Sequence, residues 1–311
     1  MPQTRFTGDP GLTARMTLVM FLLGALFVAV VAVLMGIFWQ QGSPNIAILI
    51  GIAGLGVAWW QWYSSDSLAM RAMRAREVSR DEAPELHGMI ERLCVMADMP
   101  KPRVGIADTD IPNAFATGRS PNRSVVVVTR GIMSRLEPEE LEGVLAHELS
   151  HVAHRDVLVM TVASSAGILA GMLTRGAQWG AWGFFGGNRR DKNSGLPIWL
   201  VVLVVSMVVY AVSFLLLRLL SRYRELSADR SGAQLTMRPQ ALASALQKIT
   251  GEINRIPQRD LRSAEPMNAF FFAPAVHGVS LKTLTSTHPS LEQRLEQLAR
   301  IEAELGSPGV Q

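Results

Sequence analysis

The chain has 311 residues, of which 49% are hydrophobic and only 18% charged, below the charged share of about 25% usual for a soluble globular protein. That balance is too apolar for an ordinary soluble enzyme and implies one compact domain plus apolar segments held in lipid. The net charge is +4, but the arginines stand beside apolar runs. They read as topology signals and headgroup contacts, not as a nucleic-acid arm. Cys94 is the single cysteine, which excludes an internal disulfide and a multi-cysteine metal site and leaves His and carboxylates as metal ligands.

In chain order, residues 1–63 are expected to form a membrane anchor of two helices. Residues 17–39 carry no charge and, at about 1.5 Å per residue, are long enough to cross a hydrocarbon layer of ~30 Å. Their length and the lack of a small-x-small cleavage pattern read as a retained anchor. Residues 45–62 supply a second, glycine-rich span ending in Trp59, Trp60, Trp62 and Tyr63, an aromatic cluster suited to the headgroup boundary. Arg5 and Arg15 precede the first span, the connection Gln40–Pro44 has no basic residue, and Arg71, Arg74, Arg76 and Arg80 follow the second. This asymmetry puts the N-terminus and residues 64 onward in the cytoplasm.

Residues 64–156 read as a catalytic part with a small sheet ahead of a histidine-bearing helix. Glu82–Ala97 has helical spacing, with Leu86, Met89, Ile90 and Leu93 on one face. Pro100 and Pro102 end it, and Arg103–Ala107, Asn113–Thr117 and Ser124–Thr129 then read as short strands. Residues 157–174 and 197–217 are two further apolar segments. The first is rich in Ala, Gly and Ser and near the lower length limit, so it reads either as a span or as a buried or re-entrant helix. Between them, Trp179, Trp182, Arg189, Arg190 and Lys192 make an unusually positive load for an outer loop. In residues 218–311, helices are expected at Arg222–Thr236, Pro239–Arg255 and Pro289–Leu305, in a cytoplasmic part.

The chemistry centres on His147-Glu148-Leu149-Ser150-His151. Pro138 at a first helical position and Glu139 and Glu140 in the first turn start a helix. His147 and His151 therefore project from one face, where both imidazoles reach one metal ion at about 2.0–2.1 Å. Glu148 projects beside them, where a carboxylate takes a proton from metal-activated water. Shuffled versions of this composition contain the pattern in roughly 0.6% of cases, so chance is a poor account of it.

A catalytic zinc needs a third protein ligand and an open position. The extended HExxHxxGxxH pattern is absent, because residue 154 is His and residue 157 is Val. Glu225, with Asp229 one turn later, is the expected third ligand, and Asp229 is expected to accept the other ring N–H of a ligating histidine. The competing reading is that the two acids balance Arg222, Arg224 and Arg230 on a solvated helix face. Glu225 lies beyond both later apolar segments, so two crossings or two re-entrant excursions must return it to the side of His147.

At these residues the chain resembles the HtpX family of integral-membrane zinc metalloproteases, more distantly related to the prenyl-protein proteases that process CAAX-type substrates. The likeness covers nearly the whole chain. It rests on the two N-terminal spans, the stretch Asn113-Ala114-Phe115-Ala116-Thr117-Gly118, the HExxH helix, the pair Glu225 and Asp229, and the element Thr287-His288-Pro289-Ser290. The fold so implied is a mainly α membrane protein with four apolar segments and a zincin-like α+β catalytic domain. His147, His151 and Glu225 then hold one Zn2+, Glu148 is the general base, and Asp229 supports the ligands from outside. Asn113–Thr117 becomes an edge strand to which an extended substrate adds through its backbone, with an ordinary core strand as the alternative. His288 reads either as a hydrogen-bond donor to the oxyanion or as part of a His-Pro turn opening the last helix, and Arg294 as a helper in the same cleft.

The implied biology is quality control of misfolded membrane proteins, in a stress response at a bacterial inner membrane. Both termini and the catalytic domain would be cytoplasmic, the partners protein substrates and the lipid bilayer, with no nucleic acid. His154 matches nothing in the family pattern. Two rivals are a non-catalytic membrane adaptor, against which Glu148 is intact, and a metal transporter. The transporter would carry its ligands inside spans and not in a soluble helix.

Overall fold

The computed structural model describes residues 10–40, 42–72, 74–155, 198–255 and 289–306. Residues 157–174, the loop 175–195 and His288 lie outside the described residues. The chain separates into two compact units, one of residues 15–62 and 159–219, the other of residues 1–14, 63–158 and 220–311.

The first unit is helical among its described residues. Helix α1 (Pro10–Gln40) is long and apolar enough to cross a membrane, and α2 (Pro44–Ala72) opens with the shorter apolar stretch Pro44–Gly56. The two helices meet along glycines. A Cβ on Gly54 would lie 3.2 Å from Val31 Cγ2, and one on Gly51 3.1 Å from Met35 Sδ, the close approach that small residues permit between apolar helices. Phe21, Leu49, Leu55, Met207 and Leu215 are exposed, an apolar surface that suits lipid better than water.

The second unit is mixed. Its four-stranded sheet has the order β1-β2-β4-β3, built from β1 (Ala75–Glu77), β2 (Arg103–Ala107), β3 (Ala114–Ser120) and β4 (Arg123–Thr129). β2 runs parallel to β4, and β1 and β3 are antiparallel additions at the two edges. The run Val125–Val128 is buried on both faces: Val126 and Val128 join Ala114, Ala116 and the main core, while Val125 and Val127 join Phe115, Ala107 and Met70 beneath. β3 extends three residues beyond the predicted Asn113–Thr117, because β4 keeps pairing with it as far as Ser120 through an irregular register at Gly118. Gly118 adopts φ +144°, and a Cβ there would lie 2.4 Å from Arg123 O, so this bend requires glycine.

Helix α3 (Pro84–Ala97) and α5 (Pro138–Ala153) share the main core with the sheet, and α5 lies against β3. The short α4 (Arg130–Met133) is capped by Thr129, whose Oγ1 accepts from Ile132 N at 3.1 Å and from Asn113 N at 2.9 Å, pinning the start of β3. α5 starts as predicted, with Pro138 in its first turn and a capping box between Glu137 and Glu140. Glu140 also accepts from Ser244 at 2.6 Å and Lys248 at 2.8 Å on α7 (Pro239–Arg255), which fastens the histidine helix to a neighbour.

The predicted helix Arg222–Thr236 is the last part of one uninterrupted helix, α6 (Ile198–Thr236), that also takes in most of the apolar run 197–217. Backbone hydrogen bonds do not register the change from apolar to charged side chains, so the boundary drawn from hydropathy is no boundary in the chain. The last helix, α8 (Leu291–Gly306), has a reciprocal cap: Gln293 N donates to Ser290 Oγ at 3.3 Å and Ser290 N to Gln293 Oε1 at 3.2 Å.

Replacing fully buried Ile90 by Ala should lower stability by about 2–5 kcal/mol. Val95 lies 78% exposed on the same helix, and its Ala variant should move stability by less than about 0.5 kcal/mol. Denaturation in detergent checks both, and equal losses would show that α3 does not pack by this face.

Candidate metal centre

His147, Glu148 and His151 come from the third turn onward of α5, and Glu225 and Asp229 from α6; all five side chains are buried. One turn of helix brings His151 Nε2 within 3.1 Å of His147 Nε2. Glu225 completes a triangle: its Oε2 is 3.5 Å from His147 Nε2 and its Oε1 3.6 Å from His151 Nε2. The donor atoms of the three residues all lie within 4.8 Å of one another.

These separations test whether a metal fits. Ligands of a tetrahedral ion with bonds of about 2.0–2.1 Å stand about 3.4 Å apart, close to the spacings found here. Two imidazole nitrogens and a carboxylate oxygen are also a donor set suited to a borderline divalent ion. Two ring nitrogens at 3.1 Å need a proton or a cation between them to avoid lone-pair repulsion. The residues present fit the metal ion of a hydrolase.

Behind the triangle stands a second layer of buried charge. His147 Nδ1 lies 2.9 Å from Asp229 Oδ1, so a carboxylate stands behind the ring while Nε2 faces Glu225 and His151. Asp229 in turn receives Arg294 from α8 at both oxygens, Nε to Oδ2 at 2.7 Å and Nη2 to Oδ1 at 2.6 Å. Arg224 Nη2 donates to Glu225 Oε1 at 2.9 Å. The reading in which Glu225 and Asp229 serve a solvated face is therefore wrong, because both are buried and turned toward α5.

The electrostatics follow from burial and partners. Burial alone would pull the His147 imidazole down, but its hydrogen bonds to Asp229 and Glu225 outweigh it and bring the pKa up to about 9. Burial would also raise the Asp229 carboxyl. The Arg294 guanidinium and the hydrogen bonds from Arg294 and His147 hold it below its ordinary value instead. For Glu148 burial prevails over the pull of His151 and His147, and its carboxyl is raised, the direction that makes it a better proton acceptor at neutral pH.

Asn113 and Thr117 are fully buried, and the stretch they bound occupies the sheet edge that lies against α5. Sequence reasoning placed Arg294 only as a helper in the cleft, and the structure makes it the buried partner of Asp229. A signal was present: Leu291, Arg294, Leu298 and Ile301 form one helical stripe, so the arginine sits where the core needs an apolar residue. The Arg224 bond to Glu225 was also missed, and adjacent opposite charges on a helix carry no such signal in sequence. His154 closes α5 as its C-cap.

The mixed fold and this donor set together mark a metalloprotease. The model of peptidase family M48 matches residues 80–302, and the chain belongs to that family, in its HtpX group. It is 54% identical to the Protease HtpX homolog 1 of Streptomyces coelicolor over 307 residues, covering 98% of this chain and 97% of that one. It is 51% identical to the Protease HtpX homolog of Moorella thermoacetica over 298 residues, 96% of each chain, and 40% identical to that of Pyrococcus furiosus over 288 residues, 91% of this chain and 96% of the other. Among solved structures, the crystal structure of S. mikatae Ste24p aligns with a TM-score of 0.46 and 18% identity, over 90% of this chain and 62% of that one.

Two outcomes are expected for the metal-free protein. A raised His147 pKa stabilises the fold fully below about 6.5, the unfolded value, and that contribution is lost as pH rises through about 9. The Tm in detergent should therefore fall over this window in the parent, and a His147→Asn variant should show a flatter profile; parallel profiles would rule out the two carboxylates as the cause. Arg294→Met strands a buried aspartate and should cost about 3–5 kcal/mol. A loss below about 1 kcal/mol, the range of exposed ion pairs, would mean that this pair is solvated.

Proposed function

We propose that the chain is a zinc-dependent endopeptidase anchored in the bacterial inner membrane, cutting protein substrates at the cytoplasmic membrane surface. The observation that carries this reading is the convergence of His147, His151 and Glu225 on one buried point, with Glu148 buried next to His147 in the same helix. His147, His151 and Glu225 would hold the zinc, and Asp229, 2.9 Å from Nδ1, would fix the His147 tautomer. When bound, zinc supplies Lewis acidity, polarising a peptide carbonyl and lowering the pKa of water toward about 7.

Glu148 takes the proton from the attacking water and returns it to the departing amine. Its raised pKa, set by burial, suits both halves of that transfer. Asn113, Ala114, Phe115, Ala116 and Thr117 receive the substrate as an added strand, a role favoured by their place at the sheet edge beside α5. For His288, which lies outside the described residues, the family resemblance supports the role of hydrogen-bond donor to the carbonyl oxygen as it gains negative charge.

In the same proposal residues 17–39 and 45–62 are the first two spans, and 157–174 and 197–217 complete four crossings, with both termini cytoplasmic. The length and apolar character of α1 support the first, and the basic residues at 71–80 support the orientation. The substrates are misfolded membrane proteins, met where they leave the bilayer, and cleavage removes them.

Glu148→Gln should keep the metal and lose at least about a hundredfold in kcat, the usual contribution of a positioned acid–base group. Glu225→Ala should lose metal and cleavage together. Zinc content and hydrolysis of casein by the purified proteins decide this: a Glu148→Gln enzyme as fast as the parent, or a Glu225→Ala protein with full zinc, contradicts the assignment.

A further inference from the structure

Glu225, Asp229 and Gly232 are spaced i, i+4 and i+7 along α6, so they share one face of the helix. Two of them turn acids toward the histidines, and the third has no side chain. Its surroundings show why. A Cβ on Gly232 would lie 2.9 Å from His147 N, 3.1 Å from His147 Cα and 3.2 Å from Ala146 C. All three are backbone atoms of α5, and none can rotate aside as a side chain would. Ordinary contacts between such atoms begin near 3.5 Å, so a methyl group there requires the two helices to part by roughly 0.5 Å or more.

The point of contact is the metal centre itself. Gly232 touches the backbone of His147, the residue whose ring reaches Asp229 at 2.9 Å and Glu225 at 3.5 Å. Asp229 is three residues, or about 4.5 Å, up the helix from Gly232, and Glu225 about 10 Å. Separation at Gly232 is therefore passed to both acids, and aspartate has a short side chain with no slack to recover the lost distance. Among the described residues, Gly143 and Gly251 lie apart from this contact. The nearest atoms to a Cβ on Gly143 belong to Leu242 of α7, from 3.3 Å, and Gly251 has nothing within 4 Å.

We propose that Gly232 is the positioning residue of the metal centre: its bare backbone sets how closely α6 approaches α5, and so whether Asp229 and Glu225 reach His147. This rests on the metal-centre reading given above, and it assigns to a residue without a side chain the task of holding two side chains in register.

The test uses the full-length protein in detergent, with zinc affinity measured by chelator competition and the ligand field read from the absorption bands of the cobalt-loaded form. Gly232→Ala should weaken zinc binding at least tenfold, a loss of the size seen when groups supporting a ligand are removed, and should shift the cobalt bands. Gly143→Ala and Gly251→Ala should leave affinity and spectrum as in the parent, even where Gly143→Ala lowers the Tm. A folded Gly232→Ala protein with parental affinity and parental cobalt bands overturns the proposal.

Should Gly232→Ala fail to fold, Asp229→Glu in the parent background carries the same question. At a fixed, tight crossing the extra methylene has no room, and the tenfold loss and the spectral shift recur; parental behaviour of Asp229→Glu shows slack and overturns the proposal. If the parent binds no zinc, or binds it equally well after His147→Ala, the metal-centre reading fails and this inference falls with it. Zinc bound through His147 in the parent, with Gly232→Ala unchanged, defeats the inference alone.

Discussion

The structure depends on one helix crossing. α6 presses its Glu225, Asp229 and Gly232 face onto α5 at His147, close enough that a Cβ on Gly232 would lie 2.9 Å from His147 N. A local signal, two histidines one turn apart, thereby acquires its distant partner. Everything else in the second unit steadies the two participants. The sheet and α3 bury the apolar flank of α5, Glu140 ties its first turn to α7, and α8 supplies the arginine that holds Asp229.

Concentrating charge in a dry place has a cost, and the arrangement shows how it is met. Glu148, Glu225 and Asp229 are buried together with Arg224 and Arg294, three carboxyl groups beside two guanidiniums. That balance favours a further positive charge in the cluster. In the protein without metal, the proton on His147 supplies it, as the upward shift of its pKa records. A divalent cation held by His147, His151 and Glu225 answers the same demand more fully, and must displace that proton to do so. The pair Asp229 and Arg294 is bidentate and nearly sealed from water, which makes it a fixed platform and not a titrating one.

Much of the site was legible in sequence because its first half is local. The spacing of His147 and His151, the proline and acids before them, and the β-branched run Val125 to Val128 are set within a single element, where local propensity and helical period speak directly. Glu225 was legible only through the paired acid at Asp229 and the demand that the chain return to one side of the membrane. What escaped is contact between elements far apart in sequence. Arg294 and Asp229 are 65 residues apart, and no period connects them. Gly232 was invisible because the lack of a side chain gives no signal until a neighbour's backbone is in view. β1 escaped because its three residues are largely exposed and too few to show alternation. The continuity of α6 escaped because polarity changes at residue 218 while the backbone ladder does not.

The central claim is that two imidazoles from one helix and one carboxylate from another converge on a single divalent ion. X-ray absorption fine structure of the zinc-loaded protein tests it most directly. The account expects light-atom scatterers only, at about 2.0–2.1 Å, with the outer-shell signature of two imidazole rings, reduced to one in His151→Ala. A sulfur scatterer near 2.3 Å, or an imidazole count indifferent to that substitution, would contradict it.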